Sequence, residues 1–222
     1  PAAPPTPRAR TSTNPVVIIA VLGLSSLFAS LMQSLVIPIQ LDLPDLLNTS
    51  RSNASWVVTA TLLGGAVAMP VAGRLADLFG KKPVLVASSV ILLVGSLLCA
   101  LSDTLLPMLA GRVLQGLAMG YIPVAISFVR EVAPVRMINT AVASISAMLG
   151  VGGALGLPLA ALIAEAFDWH ALFWVSLGLA VAMTLMALLI LPHVHDANPG
   201  RLDTVGAVGL AVPLFGPSGR VL

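Results

Sequence analysis

The chain is poor in charge. Of its 222 residues only 9% are Asp, Glu, Lys or Arg, where a soluble domain carries about 25%. Aromatics make up 5%, with one tyrosine, and Cys99 is the single cysteine. So little charge excludes a solvated globular surface. One cysteine excludes an intrachain disulfide and says nothing of redox compartment. The net charge is +2, and the basic residues are scattered through short loops. That distribution excludes a nucleic-acid face of clustered Lys and Arg. A P-loop, an HExxH pair and a nucleophile elbow are all absent from the sequence. No pair of acids lies within an apolar segment, so acid–base chemistry has no residues to use. His193 and His195 beside Asp196 form an HxH at a helix end, which reads as a solvated loop. No metal and no cofactor is expected.

Apolar residues fill the space that charge leaves. They make up 58% of the chain, and the mean hydropathy is +1.02. A bilayer span needs about 20 of them in a row. Six segments meet that need: Val16 to Ile39, Trp56 to Val71, Val84 to Leu101, Leu105 to Val129, Met137 to Ala164 and Ala171 to Leu191. Each is predicted to be a helix, because a single span must satisfy its own backbone hydrogen bonds. The predicted fold class is therefore all-α and integral to a lipid bilayer. Residues 1–15, Pro/Ala/Thr-rich, should form a disordered tail. Residues 16–192 should form the six-helix bundle, and residues 193–222 a polar linker followed by the start of a seventh helix. That last apolar run, Val205 to Phe215, is too short to span, so a truncated chain is expected. Arg8 and Arg10 before an apolar run also suggest a signal peptide. The run is too long for a signal core, and no small-residue cleavage site follows it.

Loop charge sets the orientation. Arg8, Arg10, Arg74, Lys81, Lys82, Arg130, Arg136 and Arg201 fall on one side, and Arg51 alone on the other. By the positive-inside rule the N-terminus is cytoplasmic, in a multi-pass protein of the plasma membrane. Trp56, Trp169 and Trp174 fall near the outer ends of helices, where an aromatic belt belongs.

Four groups of residues stand out against this apolar background. Gly73-Arg74-Leu75-Ala76-Asp77-Leu78-Phe79-Gly80-Lys81-Lys82 has the composition of a tight polar turn between two helices. Arg112 lies about seven residues into the fourth helix. An arginine at membrane depth costs about 2.5–3.5 kcal/mol, so it should face a polar cavity or a partner, unless it snorkels to the outer interface. Gln115 shares its face at i+3, and Gly116 and Gly120 make a small-residue packing stripe. On the fifth helix Gly152 and Gly156 form a small-xxx-small pair, and Pro158 predicts a kink. Gln33, with Ser30 and Ser34, should face the bundle interior, either lining a substrate path or bonding a neighbouring helix.

These residues carry a family resemblance. Residues 73–82 resemble the cytoplasmic loop motif between helices two and three of the major facilitator superfamily. Arg112-Val113-Leu114-Gln115-Gly116 resembles that superfamily's fourth-helix motif. Gly152 to Pro158 resembles the fifth-helix motif of its drug:proton antiporter branches, and Asp168 to Trp174 the turn into helix six. Three features depart from the pattern. Leu78 replaces a basic residue, Pro158 stands one position late, and the first helix lacks an intramembrane aspartate.

The resemblance implies the N-terminal half of a secondary transporter, with its second six-helix half missing from the chain. It implies proton-coupled efflux of drugs or small metabolites by alternating access, and no enzyme activity. Gly73, Arg74, Asp77, Gly80, Lys81 and Lys82 would form a latch, with Asp77 meeting the N-terminus of a helix in the second half. Arg112, Gln115 and Gly116 would serve proton coupling. Gly152, Gly156 and Pro158 would govern closure, and Gln33 is a candidate for the substrate cavity. Two alternatives stay open: an importer or exchanger of the same fold, and a truncated membrane protein with no transport.

Overall fold

The computed structural model describes residues 14–192. The readings of the N-terminal tail, of His193 and His195, and of a seventh helix lie outside those residues. Helix α1 (Pro15–Ser34) starts where its sequence signals it. Asn14 accepts a hydrogen bond from the Val16 N–H at 3.0 Å, and proline holds the first helical position. A 3₁₀ turn (Pro38–Leu41) and a single turn of helix, α2 (Leu43–Leu46), lead to α3 (Arg51–Phe79). Then come α4 (Lys81–Ala100), α5 (Leu105–Leu117), α6 (Tyr121–Val132), α7 (Ile138–Ala166) and α8 (His170–Leu189). A 3₁₀ turn over Ala118–Gly120 joins α5 to α6, so the two make one span. The described residues contain six helical segments long and apolar enough to cross a membrane, and no strand.

Two helix ends differ from the hydropathy reading. The second span starts at Arg51 because the Ser50 side chain caps it, accepting from the Asn53 N–H at 3.2 Å. It runs on to Phe79, so Gly73 to Phe79 is helix and not turn. The turn is one residue, Gly80, with φ at +92°, a backbone conformation that glycine adopts without a Cβ penalty.

Packing follows bilayer rules. Helix α3 buries Ala54, Val57, Thr61, Gly64, Ala68, Ala72 and Ala76, spaced three or four apart, with Gly65 beside them, and exposes Leu62, Leu63 and Val67. Small residues turn inward and large ones outward. Lipid is as apolar as leucine, so helices gain by close backbone approach and not by hiding large side chains. The main partners are α1 with α7, α4 with α8, and α5 with both α3 and α4. Several buried hydroxyls are satisfied within their own helices, while Ser25 Oγ and Tyr121 OH have no partner among the described residues. Ser26, Thr61, Ser176 and Thr184 each donate to the carbonyl four residues back.

The α1–α7 contact rests on Gly152, where an added Cβ would run into the Leu27 carbonyl. We expect Gly152→Ala to destabilise by about 1–3 kcal/mol through overpacking. Gly178→Ala, where a Cβ meets nothing within 4 Å, should stay within about 1 kcal/mol of the parent. Thermal unfolding of the detergent-solubilised complete protein distinguishes the two.

Candidate functional site

Helix α5 buries Met108, Gly111, Arg112, Gln115 and Gly116, one face at three- and four-residue spacing. That face carries a polar network inside the bundle. The Arg112 Nε donates to the Val57 carbonyl of α3 at 3.3 Å, and its Nη1 donates to Gln115 Oε1 at 2.5 Å. Gln115 Nε2 donates in turn to Ser96 Oγ of α4 at 3.0 Å. Arg112 is 3% exposed, so it does not snorkel. It forms no ion pair with a carboxylate among the described residues. A cation thus sits in an apolar bundle, held by neutral acceptors from its own helix and α3. Cys99 of α4 lies beside it, its thiol directed at the Met108 carbonyl at 3.8 Å.

Glycines make this network reachable. A Cβ on Gly95 of α4 would lie 2.8 Å from the Gly111 carbonyl oxygen and 3.0 Å from the Gln115 nitrogen. One on Gly64 of α3 would lie 2.9 Å from the Val113 carbonyl oxygen, and one on Gly116 would run into the Thr61 carbonyl. Three helices therefore meet backbone to backbone around Arg112.

The stretch 73–82 divides at Gly80. Before it, Arg74 and Asp77 are exposed on the last turns of α3, and a Cβ on Gly73 would meet nothing within 4 Å. Asp77 forms no ion pair among the described residues. After it, both lysines are engaged. Lys81 pairs with Glu131 at the end of α6, and the buried Lys82 donates to the Leu188 carbonyl of α8 at 3.2 Å. An apolar groove of about 390 Å³ lies between α3 and α4 near this end, lined by Val71, Leu75, Phe79, Val84 and Ile91.

Gly152 and Gly156 of α7 face α1. A Cβ on Gly156 would clash with Ser34, and one on Gly153 would lie 3.3 Å from Ser30 Oγ. Pro158 is exposed, and α7 continues through it as helix. Gln33 is partly exposed and lies outside the Arg112 network. The structure therefore brings Arg112, Gln115 and Gly116 together, sets the 152–158 group against the stretch of α1 that carries Ser30, Gln33 and Ser34, and leaves 73–82 apart from both.

The described residues thus form a bundle of six membrane-length helices with a buried cation between them. Residues 22–216 match the Major Facilitator Superfamily, and the chain belongs to that family. It is 33% identical over 199 residues to an uncharacterized MFS-type transporter of Mycobacterium tuberculosis, covering 88% of this chain and 28% of that one. A triacylglyceride transporter of Mycobacteroides abscessus is 35% identical over 161 residues, covering 71% of this chain and 31% of its own length. The multidrug resistance protein MdtL of Shigella flexneri is 32% identical over 159 residues, with 71% and 40% covered. In fold, the chain is similar to the proton:xylose symporter XylE, with a TM-score of 0.71 and 16% identity over 82% of this chain and 46% of that one. The chain thus spans well under half the length of these curated relatives and about half that of the solved transporter.

Sequence reasoning missed Ser96 and the Val57 carbonyl. Neither has a local signal, since both depend on how α3 and α4 rotate against α5. We expect Gln115→Leu to cost about 1–3 kcal/mol, because it strips a buried donor of its acceptor. Ser96→Ala, at the end of the network, should cost about 1 kcal/mol. Thermal unfolding of the two variants ranks them.

Proposed function

We propose that the chain forms the N-terminal half of a proton-coupled exporter of drugs or small metabolites. In this reading it lies in the cell membrane with its N-terminus in the cytoplasm, and works by rocking against a second six-helix half. The observation that carries the proposal is Arg112, buried and without a carboxylate. Its field opposes a second positive charge nearby and favours an anion. A proton bound close by is therefore destabilised while the cation is enclosed, and the balance changes when the bundle moves. Within residues 14–192 the acids lie only at span ends and in loops, so the carboxylate that takes the proton belongs to the second half. Gln115 and Gly116 hold Arg112 in place. Asp77, with Gly73 and Arg74 beside it, closes the latch on a helix N-terminus of that half. Gly152, Gly156 and Pro158 govern closure through the α1–α7 contact, and Gln33 lines the cavity. A second substrate class, acylglycerol-like lipid, is favoured by the triacylglyceride-transporter relative and by the apolar groove between α3 and α4.

In the complete protein, Arg112→Ala should insert normally and lose proton-driven efflux by about tenfold or more, the scale of an ordinary coupling free energy. Unchanged efflux in vesicles with an imposed proton gradient overturns the coupling role. The orientation is read by an impermeant thiol reagent on Leu78→Cys, an exposed position on the last turn of α3. Labelling is expected in opened cells only, and labelling in intact cells reverses the topology.

A further inference from the structure

At the end of the bundle opposite Gly80, the connection from α4 to α5 meets the connection from α7 to α8. The joint between them is His170, the first residue of α8. Its Nδ1 contacts Asp168 Oδ2. Its Nε2 lies 3.2 Å from the Ser102 carbonyl oxygen and 3.4 Å from Asp103 Oδ1. The Trp169 ring lies against the imidazole, with centroids 3.7 Å apart, and meets Phe173 edge-on. The His170 side chain is 23% exposed, so protons reach it from solvent. The other charged groups at this end are Asp42, Asp45, Arg51 and Glu165, and none forms an ion pair with the ring.

Every group facing the two ring nitrogens is an acceptor. A carbonyl oxygen only accepts, and so does an ionised carboxylate. A neutral imidazole carries one N–H and serves one side; the imidazolium carries two and serves both. We propose that His170 is a proton-binding site that ties the α4–α5 connection to the start of α8 when protonated and releases it when the proton leaves. The link lost is the long-range one, because the Asp168 charge keeps the remaining proton on Nδ1.

Asp168 supports this and sets the acid limit. The His170 ring hydrogen bond, with the backbone N–H of His170 adding to it, holds the Asp168 carboxyl below the usual range. A depressed carboxyl contributes stability that is present above its unfolded value and is lost as pH falls through its folded one. The clasp therefore also weakens at the acid end, as pH falls through the depressed titration of Asp168. In the proposed orientation this end is outside, where an exporter meets incoming protons.

The test is hydrogen–deuterium exchange on the complete protein in nanodiscs, followed over residues 101–106 and corrected for intrinsic exchange. Protection should fall about fivefold between about pH 6 and about pH 8.5, the factor one net hydrogen bond of ordinary strength supplies. His170→Ala should show weak protection and no step. His170→Arg, a permanent donor, should stay protected at both pH values. A parent protein without the step, or a step that survives in either variant, overturns the proposal.

Discussion

Everything in this bundle depends on close backbone approach. Inside a bilayer, helices gain little by hiding large apolar side chains from lipid, so association rests on van der Waals contact and interhelical polar bonds. Gly64, Gly95, Gly111 and Gly116 bring α3, α4 and α5 together with no space for a Cβ. Arg112 stands between Gly111 and Gly116, on the same buried face. Without those glycines the Val57 carbonyl and Ser96 would lie beyond reach, and the arginine would have no acceptors except its own Gln115. The site is therefore a consequence of the packing and not an addition to it.

Magnitudes show why the cation stays. Insertion of an arginine at membrane depth costs about 2.5–3.5 kcal/mol. A hydrogen bond to a charged group contributes about 1.5–3 kcal/mol, and Arg112 donates two of them. The two are of the size of the cost, so no carboxylate is needed to hold the arginine inside. Among the described residues no carboxylate neutralises that charge. The ion pair at the other end differs in kind. Lys81 and Glu131 are each about one-fifth exposed, and solvent screens such a pair to about 1 kcal/mol or less. It fixes how α4 meets α6 more than it stabilises either helix.

Much of the fold was legible in the sequence. Hydropathy runs place six helical spans, and the Gly152–Gly156 spacing marks a close helix contact, because both signals are local. The charges and bounding glycines of 73–82 suggest a turn, but Gly73 to Phe79 is helix. Ala68, Ala72 and Ala76 continue the buried four-residue spacing through it, and that signal was the better guide to helix. At the site, the i+3 relation of Arg112 and Gln115 could be read locally, whereas Ser96 and Val57 could not. His170 and Asp103 are far apart in sequence, and no periodicity joins two loops. Lys82, placed by the sequence in a polar turn, is buried against α8, because its amine finds a carbonyl that the end of that helix leaves free.

The division at Gly80 gives the loop motif its physical sense. Lys81 and Lys82 spend their charge on α6 and α8 of the same bundle, so neither is free for a partner. Arg74 and Asp77 are exposed on the far side of a one-residue turn, and Asp77 pairs with nothing among the described residues. The positive φ of Gly80 separates the two sets: it ends α3 and starts α4 within a single residue, turning one pair of charges inward and leaving the other out. A latch needs this arrangement, in which one side is anchored firmly enough to hold the other in place. In the proposed latch the anchored lysines would supply the rigidity, and Asp77 would supply the contact that the proposed second half completes.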